Sequence, residues 1–447
     1  MAKSLLRYLL LSLLLCISLP AVSQGFAFNH GKEKSPKIHF ELVNNLIVIP
    51  LEVNGTPLRF ILDSGVKKPI LFNLTDQDSV ALNNVSKISL QGLGEGDPIE
   101  ALRSTGNVFE IAGLKNPYQE VYVVLDRSMN FSPALGINVH GIIGYDLFRD
   151  HIVELNYGRT FLRFHNPDDF DGKMPRSAIT LPLMLQGSKA FVEAGVVVDG
   201  GEEVEVKLLV DTGSGDAVWL FPDQEEGLKV PETHYEEFLG RGLSGIIYGK
   251  RTKIDQLRLG PHVITDAKAA FPDMASFNAL KDLQDRNGSL GGAVLKRFNM
   301  FINYPAGELT LTRNARFMDP FHFNLAGLEL EHAGMRYIAE KITDSRGVVR
   351  EDQGNFGNVQ ILLQNTTRLS LVPEIVVSAI RAGSPADEVG LREGDVILAV
   401  NGKPVHRYKL QEVIQMINEK EGKRVKLHIE RFDSDLVFSF VLKTLFK

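Results

Sequence analysis

Two stretches decide the fold: Leu58-Arg-Phe-Ile-Leu-Asp63-Ser64-Gly65 and Val206-Lys-Leu-Leu-Val-Asp211-Thr212-Gly213, each an apolar strand that leads into an Asp-Ser/Thr-Gly turn. About eighty residues after each aspartate comes a second matched segment, Gly141-Ile-Ile-Gly144-Tyr-Asp-Leu-Phe148 and Gly288-Ser-Leu-Gly291-Gly-Ala-Val-Leu295. The two copies are offset by 148 residues at the aspartates and by 147 at the glycines. Such an internal repeat predicts two similar lobes that each contribute one carboxylate to a shared site.

Composition limits the class of protein. The chain has 447 residues, of which 44% are hydrophobic and 23% charged, which is typical of globular protein and sufficient for about three domains. The net charge of -6 argues against a nucleic-acid partner.

The first 23 residues have the layout of a secretory signal peptide. Lys3 and Arg7 precede a mainly apolar run over residues 9–19, and Ala21-Val-Ser23 supplies small residues before a cut. The alternative, an uncleaved anchor, is disfavoured because the run is shorter than the roughly 20 residues that cross a bilayer. We therefore expect an exported protein that is periplasmic, on the cell surface or secreted, with no transmembrane segment in the mature chain. Cys16, the only cysteine, would be removed with the signal peptide.

The remaining sequence divides into three parts. Strand-like runs separated by turn signals dominate up to about residue 315, and a Pro- and Asp-rich linker interrupts them at residues 166–172. After residue 320 the pattern mixes strands with a helical spacing over residues 408–417. We predict a mainly β fold with two pseudo-symmetric lobes, at residues 24–174 and 175–319, followed by a small α+β domain at residues 320–447.

The residue types of the two turns suit acid–base chemistry. A glycine permits a tight turn and close backbone approach, and the hydroxyl can hydrogen-bond across a two-fold interface. Two carboxylates this close share a proton, so that one accepts a proton from water while the other polarises a carbonyl. We assign catalysis to Asp63 and Asp211. The supporting residues are Ser64, Gly65, Thr212, Gly213, Gly144 and Gly291.

These motifs resemble the retropepsin-like aspartic proteases in their single-chain, two-lobed form, over roughly residues 37–314. The resemblance implies a retropepsin-like acid-protease fold in which the segments Ile142–Gly144 and Ser289–Gly291 support the catalytic turns. The polar Ser289 departs from the apolar pattern. The resemblance also implies mobile flaps at two glycine-rich stretches, with Gly92 and Gly94 in one and Gly242 and Ser244 in the other; the alternative is ordinary hairpin tips.

Lys67 and Lys68 follow the first turn directly. An ammonium that pointed toward the aspartates would favour their ionised forms and lower their pKa, whereas solvent-facing lysines would leave them unaffected. The single tryptophan, Trp219, is interpreted as a core residue.

No metal site or cofactor is expected. The eleven histidines include no pair at a metal-ligand helical spacing, and the acidic linker at residues 166–172 lacks the spacing of a calcium loop.

The C-terminal part resembles a PDZ domain from about residue 321 to 447, most clearly at residues 383–402. This resemblance implies that an extended peptide adds a strand to a sheet edge beside a helix. The loop for the peptide end would comprise Gly327, Leu328, Glu329 and Leu330. Because Glu329 brings a charge like that of a terminal carboxylate, recognition of an internal strand and an autoregulatory role both stay open.

The sequence as a whole predicts an exported aspartic endopeptidase that acts on peptides or proteins without a cofactor. The alternative is a catalytically silent envelope scaffold that binds peptides through the cleft and the PDZ groove.

Overall fold

Strands predominate in the computed structural model, which confirms the prediction of a mainly β fold. It describes residues 25–28, 34–74, 78–126, 129–223, 227–278, 285–343, 348–350, 360–362, 365–443 and 446. The expected signal peptide, residues 1–23, lies outside the described residues. No helix within the described ranges is long and apolar enough to cross a membrane.

The first lobe is built around one mixed sheet. Its elements are β1 (Ala27–Phe28), β2 (Ile38–His39), β3 (Glu41–Val43), β4 (Leu46–Val53), β5 (Thr56–Leu62), β6 (Ile70–Leu71), β7 (Ser86–Leu90), β8 (Ile99–Ile111), β9 (Leu114–Val124), α1 (Ser132–Leu135), β10 (Gly141–Ile143), α2 (Tyr145–Phe148), β11 (Ile152–Asn156) and β12 (Phe161–His165). The strand order of the sheet is β1-β9-β6-β10-β5-β4-β8-β7, with β3 paired to β4.

The second lobe repeats this plan. Its elements are β13 (Ile179–Pro182), β14 (Met184–Gln186), β15 (Lys189–Val197), β16 (Glu203–Asp211), β17 (Val218–Leu220), β18 (Tyr235–Gly242), β19 (Gly245–Leu259), β20 (His262–Pro272), β21 (Gly288–Gly291), α3 (Gly292–Leu295), β22 (Phe298–Asn303) and β23 (Glu308–Arg313). The order β14-β15-β16-β21-β17-β20-β19-β18 places β21 between β16 and β17, as β10 lies between β5 and β6.

Tight hairpins set the register of the strands that carry the aspartates. Asn54 and Gly55 join β4 to β5 with φ angles of 50° and 84°, and Asp199 and Gly200 form the turn of the loop over residues 198–202 between β15 and β16, with 54° and 68°. Asn-Gly and Asp-Gly pairs adopt such angles at little cost, and the resulting turns match the twist of paired strands. In both lobes the hairpin therefore delivers its aspartate to the same end of the sheet.

The second matched segment of each lobe pairs in parallel with the strand that carries the aspartate. Gly141 and Ile143 lie opposite Phe60 and Leu62 in β5, and Gly291 lies opposite Asp211 at the end of β16. Sequence segments about eighty residues apart are thus brought to the base of each turn.

A third sheet joins the lobes. Its order is β13-β23-β22-β11-β12-β2, so that β11 of the first lobe pairs along its whole length with β22 of the second. Buried side chains from both lobes share one hydrophobic cluster, to which Leu155 and Met300 contribute from this sheet, and a second cluster lies within the first lobe. Their burial fixes the position of the lobes relative to each other.

The C-terminal domain has its own core, which runs from Ala326 to Leu442. Its elements are β24 (Leu328–Thr343), β25 (Val348–Arg350), β26 (Gln360–Leu362), β27 (Asn365–Ile380), α4 (Pro385–Glu388), β28 (Val396–Val400), β29 (Lys403–Pro404), α5 (Leu410–Ile417), β30 (Arg424–Arg431) and β31 (Ser434–Val441). The main sheet has the order β24-β27-β28-β30-β31. The helical spacing over residues 408–417 forms α5, which buries Leu410, Val413 and Ile417.

Gly144 offers a test of the parallel pairing. A Cβ atom at this position would lie 1.7 Å from the carbonyl oxygen of Asp63, which is backbone and cannot rotate away. We expect Gly144→Ala to lower the free energy of unfolding by about 3 kcal/mol or more, measured by urea denaturation. The control is Gly158→Ala, where the nearest atom would lie 3.5 Å away and the change should stay within about 0.5 kcal/mol. Equal effects of the two substitutions would contradict the packing described.

Candidate active site

The two Asp-Ser/Thr-Gly turns meet at the boundary between the lobes. The Thr212 hydroxyl donates to the Leu62 carbonyl at 2.7 Å, and the Ser64 hydroxyl donates to the Val210 carbonyl at 2.6 Å. The two hydroxyls in turn accept the backbone N–H groups of the opposite turn, from Ser64 at 3.0 Å and from Thr212 at 3.1 Å. Both side chains are fully buried, and each hydroxyl bonds to the main chain of the other lobe.

This arrangement crowds both carboxylates around the glycines of the turns. The Gly65 N–H donates to Asp63 Oδ1 at 2.8 Å, and the Gly213 N–H donates to Asp211 Oδ1 at 3.0 Å. A Cβ atom on Gly65 would lie 3.1 Å from Asp63 Oδ1 and 3.7 Å from Asp211 Oδ1, so the two oxygens flank one point. A Cβ atom on Gly213 would lie 2.1 Å from Asp63 Cγ, which leaves glycine as the residue that fits.

The environment of the pair opposes full ionisation. Burial and the charge of Asp211 raise the pKa of Asp63 to about 7, although the Gly65 N–H and Lys189 act in the opposite direction. Burial also raises the pKa of Asp211, against the opposing influence of Arg286 and nearby backbone N–H groups. A pair of carboxylates in this situation retains one proton into the neutral range.

The cations that face the aspartates are not the two lysines singled out in the sequence. Lys67 is exposed, and the Lys68 ammonium lies 3.3 Å from the carboxylate of Glu120. Lys189 at the start of β15 and Arg286 line the cavity that contains the aspartates. Arg286 comes two residues before the second matched segment of its lobe, but no sequence pattern distinguishes it or Lys189 from other basic residues.

A buried ionic cluster lies beside the Asp211 turn. Burial opposes the ionisation of Asp216, but Arg251 and Lys268 hold its pKa at about 2. The Arg251 guanidinium bonds to both oxygens of Asp216 at 2.8 Å and to Glu237 at 2.7 Å. The Trp219 indole N–H donates to Asp216 at 2.8 Å, and its half-buried ring lines the cavity, so the interpretation of Trp219 as a core residue is wrong.

The glycine-rich stretches are hairpin tips that touch each other. One joins β7 to β8 and the other joins β18 to β19. The Ser244 N–H donates to the Leu93 carbonyl at 2.8 Å, and the N–H groups of Gly96 and Gly92 donate to the Ser244 carbonyl and hydroxyl at 2.6 and 3.0 Å. A Cβ atom on Gly242 would lie 2.2 Å from the Leu93 carbonyl oxygen. The candidate flap residues Gly92, Gly94, Gly242 and Ser244 therefore meet in one place.

The aspartates and the hairpin tips line a common cavity of about 980 Å³. Leu328 and Glu329 of the C-terminal domain also line it, whereas Leu330 is buried in that domain's own core. Gly327, with a φ of 75°, lies at the entry to β24. Within the described residues, no group of three or more His, Cys, Asp or Glu side chains could hold a metal ion.

Comparisons with known proteins find partial matches to proteins that are named as proteases. A carboxy-terminal processing protease, CtpA, of Bacillus subtilis is 40% identical over 57 residues, which is 13% of this chain and 12% of that protein. A probable CtpA-like serine protease of Staphylococcus aureus is 40% identical over 58 residues, 13% of this chain and 12% of that protein. A protein named "Putative zinc metalloprotease" from Neisseria meningitidis is 23% identical over 234 residues, 50% of this chain and 46% of that protein.

The chain thus spans less than half the length of each of these relatives. The family model for the aspartyl protease matches residues 194–294, and that for the PDZ domain matches residues 376–431. Both resemblances predicted from the sequence are confirmed: the chain contains an aspartyl protease domain and, after it, a PDZ domain.

Proposed function

We propose that the protein is an aspartic endopeptidase that hydrolyses peptide bonds through Asp63 and Asp211. The observation that carries the proposal is the reciprocal bonding of Ser64 and Thr212, which holds the two carboxyl groups against each other at the floor of a cavity. The family model for the aspartyl protease supports the same reaction class.

The chemistry needs one ionised and one protonated carboxyl group. The ionised aspartate accepts a proton from a bound water as the water oxygen attacks the peptide carbonyl carbon, and the protonated aspartate donates its proton to the carbonyl oxygen. The first aspartate then returns its proton to the amide nitrogen, and the second takes the proton of one hydroxyl of the tetrahedral intermediate. The C–N bond breaks to yield a carboxylic acid and an amine, and the pair regains its single proton. The residues of the chain supply every proton transfer in this sequence.

The substrate is proposed to bind as an extended strand below the two hairpin tips, which must part to admit it. The amino-terminal segment, with its charged start and short apolar run, supports export to the periplasm, the cell surface or the medium.

Removal of either carboxylate should abolish cleavage. We expect Asp63→Asn and Asp211→Asn each to lower kcat/KM by about 10³-fold or more, because the two groups act as one unit. The measurement is cleavage of an unbiased peptide library between about pH 4 and pH 8. The control is Asp199→Asn, the same change at an exposed hairpin turn, which should keep full activity. Retained cleavage in either dyad variant would overturn the mechanism, and peptide binding without cleavage by the unaltered protein would favour the silent scaffold.

The pH profile should report the shared proton. Because burial and Asp211 raise the pKa of Asp63 to about 7, the protonated carboxyl group persists below that pH and is lost above it. We therefore expect kcat/KM to fall as the pH rises through about 7.

Arg286 should control the acid side of the same profile. Its guanidinium opposes the rise in the pKa of Asp211, so Arg286→Met should raise that pKa further and move the acid limb to higher pH. Methionine retains an apolar contact with the Phe221 ring, from which the guanidinium carbon lies 5.3 Å. The control is Arg159→Met at an exposed turn, and an acid limb that stays in place for both variants would contradict this assignment.

A further inference from the structure

The cavity above the aspartates does not end at the protease lobes. Its walls include Leu328 and Glu329 at the start of β24, and Ile414 and Asn418 at the end of α5. The groove between these two elements of the PDZ domain therefore opens into the space that contains Asp63 and Asp211.

Contacts with both lobes hold the PDZ domain in this position. On the first lobe, the Gln411 side chain donates to the Leu135 carbonyl. On the second lobe, the Arg381 guanidinium lies 3.5 Å from the Glu237 carboxylate and 4.5 Å from the centre of the Tyr235 ring. Since Glu237 lies in β18, the strand that leads to the second hairpin tip, the domain is anchored beside the mouth of the cleft.

Strand β24 is suited to bind an extended chain. It is the terminal strand of its sheet, with β27 on one side. The first-lobe residues Leu135 and Gly136 pack beside His332 of this strand and Leu410 of α5, so an added strand would pair with backbone N–H and C=O groups at the start of β24, where Leu328 and Glu329 line the cavity. A polypeptide that lies extended across the aspartates can therefore reach the start of β24 within the same cavity.

The loop before β24 is not arranged to bind the end of a chain. Asn324 Oδ1 accepts the N–H groups of Gly327 and Leu328 at 2.9 and 3.2 Å, and Asn418 Oδ1 accepts the N–H of Ala326 at 2.9 Å. Side chains of the domain thus occupy the backbone donors that a terminal carboxylate would need. This leaves an internal segment as the peptide that fits.

Glu329 supplies a negative group in the same wall. Its half-buried carboxylate accepts a hydrogen bond from Asn324 Nδ2 at 2.9 Å, and it has no ion-pair partner among the described residues. Burial and the charge of Glu237 raise the pKa of Glu329 to about 7, although the Asn324 hydrogen bond and the charges of Lys268 and Arg251 act in the opposite direction. A cationic group that enters the cavity would favour the ionised form of Glu329 and so offset the effects of burial and of the Glu237 charge.

The nearby cations of the protein are already bound to other acids. Arg251 bonds to Asp216 and Glu237, and Lys268 lies 3.6 Å from Asp216. The Arg381 guanidinium faces Glu237. Glu419, which lines the cavity just after α5, pairs with Lys423. Glu329 is therefore the acid of this wall that an incoming cation can pair with.

We propose that the PDZ domain forms part of the substrate site, in which β24 and α5 bind an internal extended segment and Glu329 binds a Lys or Arg side chain of that segment. Cleavage is then directed to peptide bonds within a few residues of a basic side chain. The inference rests on the proposed function and names the substrate class for it.

The test measures binding apart from cleavage. Three fluorescent peptide pools are titrated by anisotropy into the full-length Asp211→Asn variant at about pH 8, where Glu329 is ionised. One pool has a fixed central Lys and blocked ends, the second replaces Lys by Gln, and the third has Gln and a free C-terminal carboxylate. We expect the Lys pool to bind about tenfold more tightly than either Gln pool.

Charge substitutions locate the effect. Glu329→Gln should remove the preference for Lys, and Glu329→Arg should transfer it to a pool with a fixed Glu. Glu393→Gln removes the same charge from an exposed position of the PDZ domain and should preserve the preference. Equal binding of the Lys and Gln pools, or tightest binding of the pool with a free carboxylate, would overturn the inference.

Cleavage-site sequencing with the unaltered protein separates the two proposals when it is run at about pH 7, where the Asp63 proton and the Glu329 charge are both partly retained. Cleavage without enrichment of basic residues overturns the inference and leaves the peptidase intact. No cleavage, together with a Glu329-dependent preference for Lys, overturns the peptidase and supports the cation site.

Discussion

The exchange of hydrogen bonds between Ser64 and Thr212 is the constraint on which the rest of the structure depends. Each hydroxyl is buried and bonded to the main chain of the opposite lobe. A shift of one lobe relative to the other would therefore leave buried polar groups without hydrogen-bond partners. The closeness of the two carboxyl groups follows from this contact, and burial together with this closeness raises the pKa of Asp63. The supporting strands β10 and β21 fix the turns from below, where Gly144 admits the Asp63 carbonyl at a distance that no side chain permits.

Sequence patterns predicted those parts of the structure whose geometry depends on residues adjacent in the chain. The apolar strands, the Asn54-Gly55 hairpin and the two Asp-Ser/Thr-Gly turns depend on a few adjacent residues, and the repeat at an offset of 148 residues indicated that the turns would face each other. The two glycine-rich stretches were also recognisable as equivalent elements of the two lobes, because each follows its aspartate at a similar distance along the chain.

Long-range packing was not predictable in the same way. The lysines adjacent to Asp63 in sequence turn outward, whereas Lys189 and Arg286 reach the aspartates through strand pairing and loop placement. Trp219 lines the cavity because Asp216 fixes its indole N–H. The position of the PDZ domain depends on contacts such as that of Arg381 with Glu237, and the residues involved have no spacing that marks them as partners.

The sheet that pairs β11 with β22 joins both halves of the site within one polypeptide. Two identical subunits would place every side chain twice around their symmetry axis and would give both aspartates the same surroundings. In a single chain, an arginine can lie beside one aspartate and not the other, and Asp63 and Asp211 therefore have different neighbours. The same loss of symmetry leaves one end of the cleft available for a further domain, so that the two ends of the cleft differ and the cleft has a built-in direction.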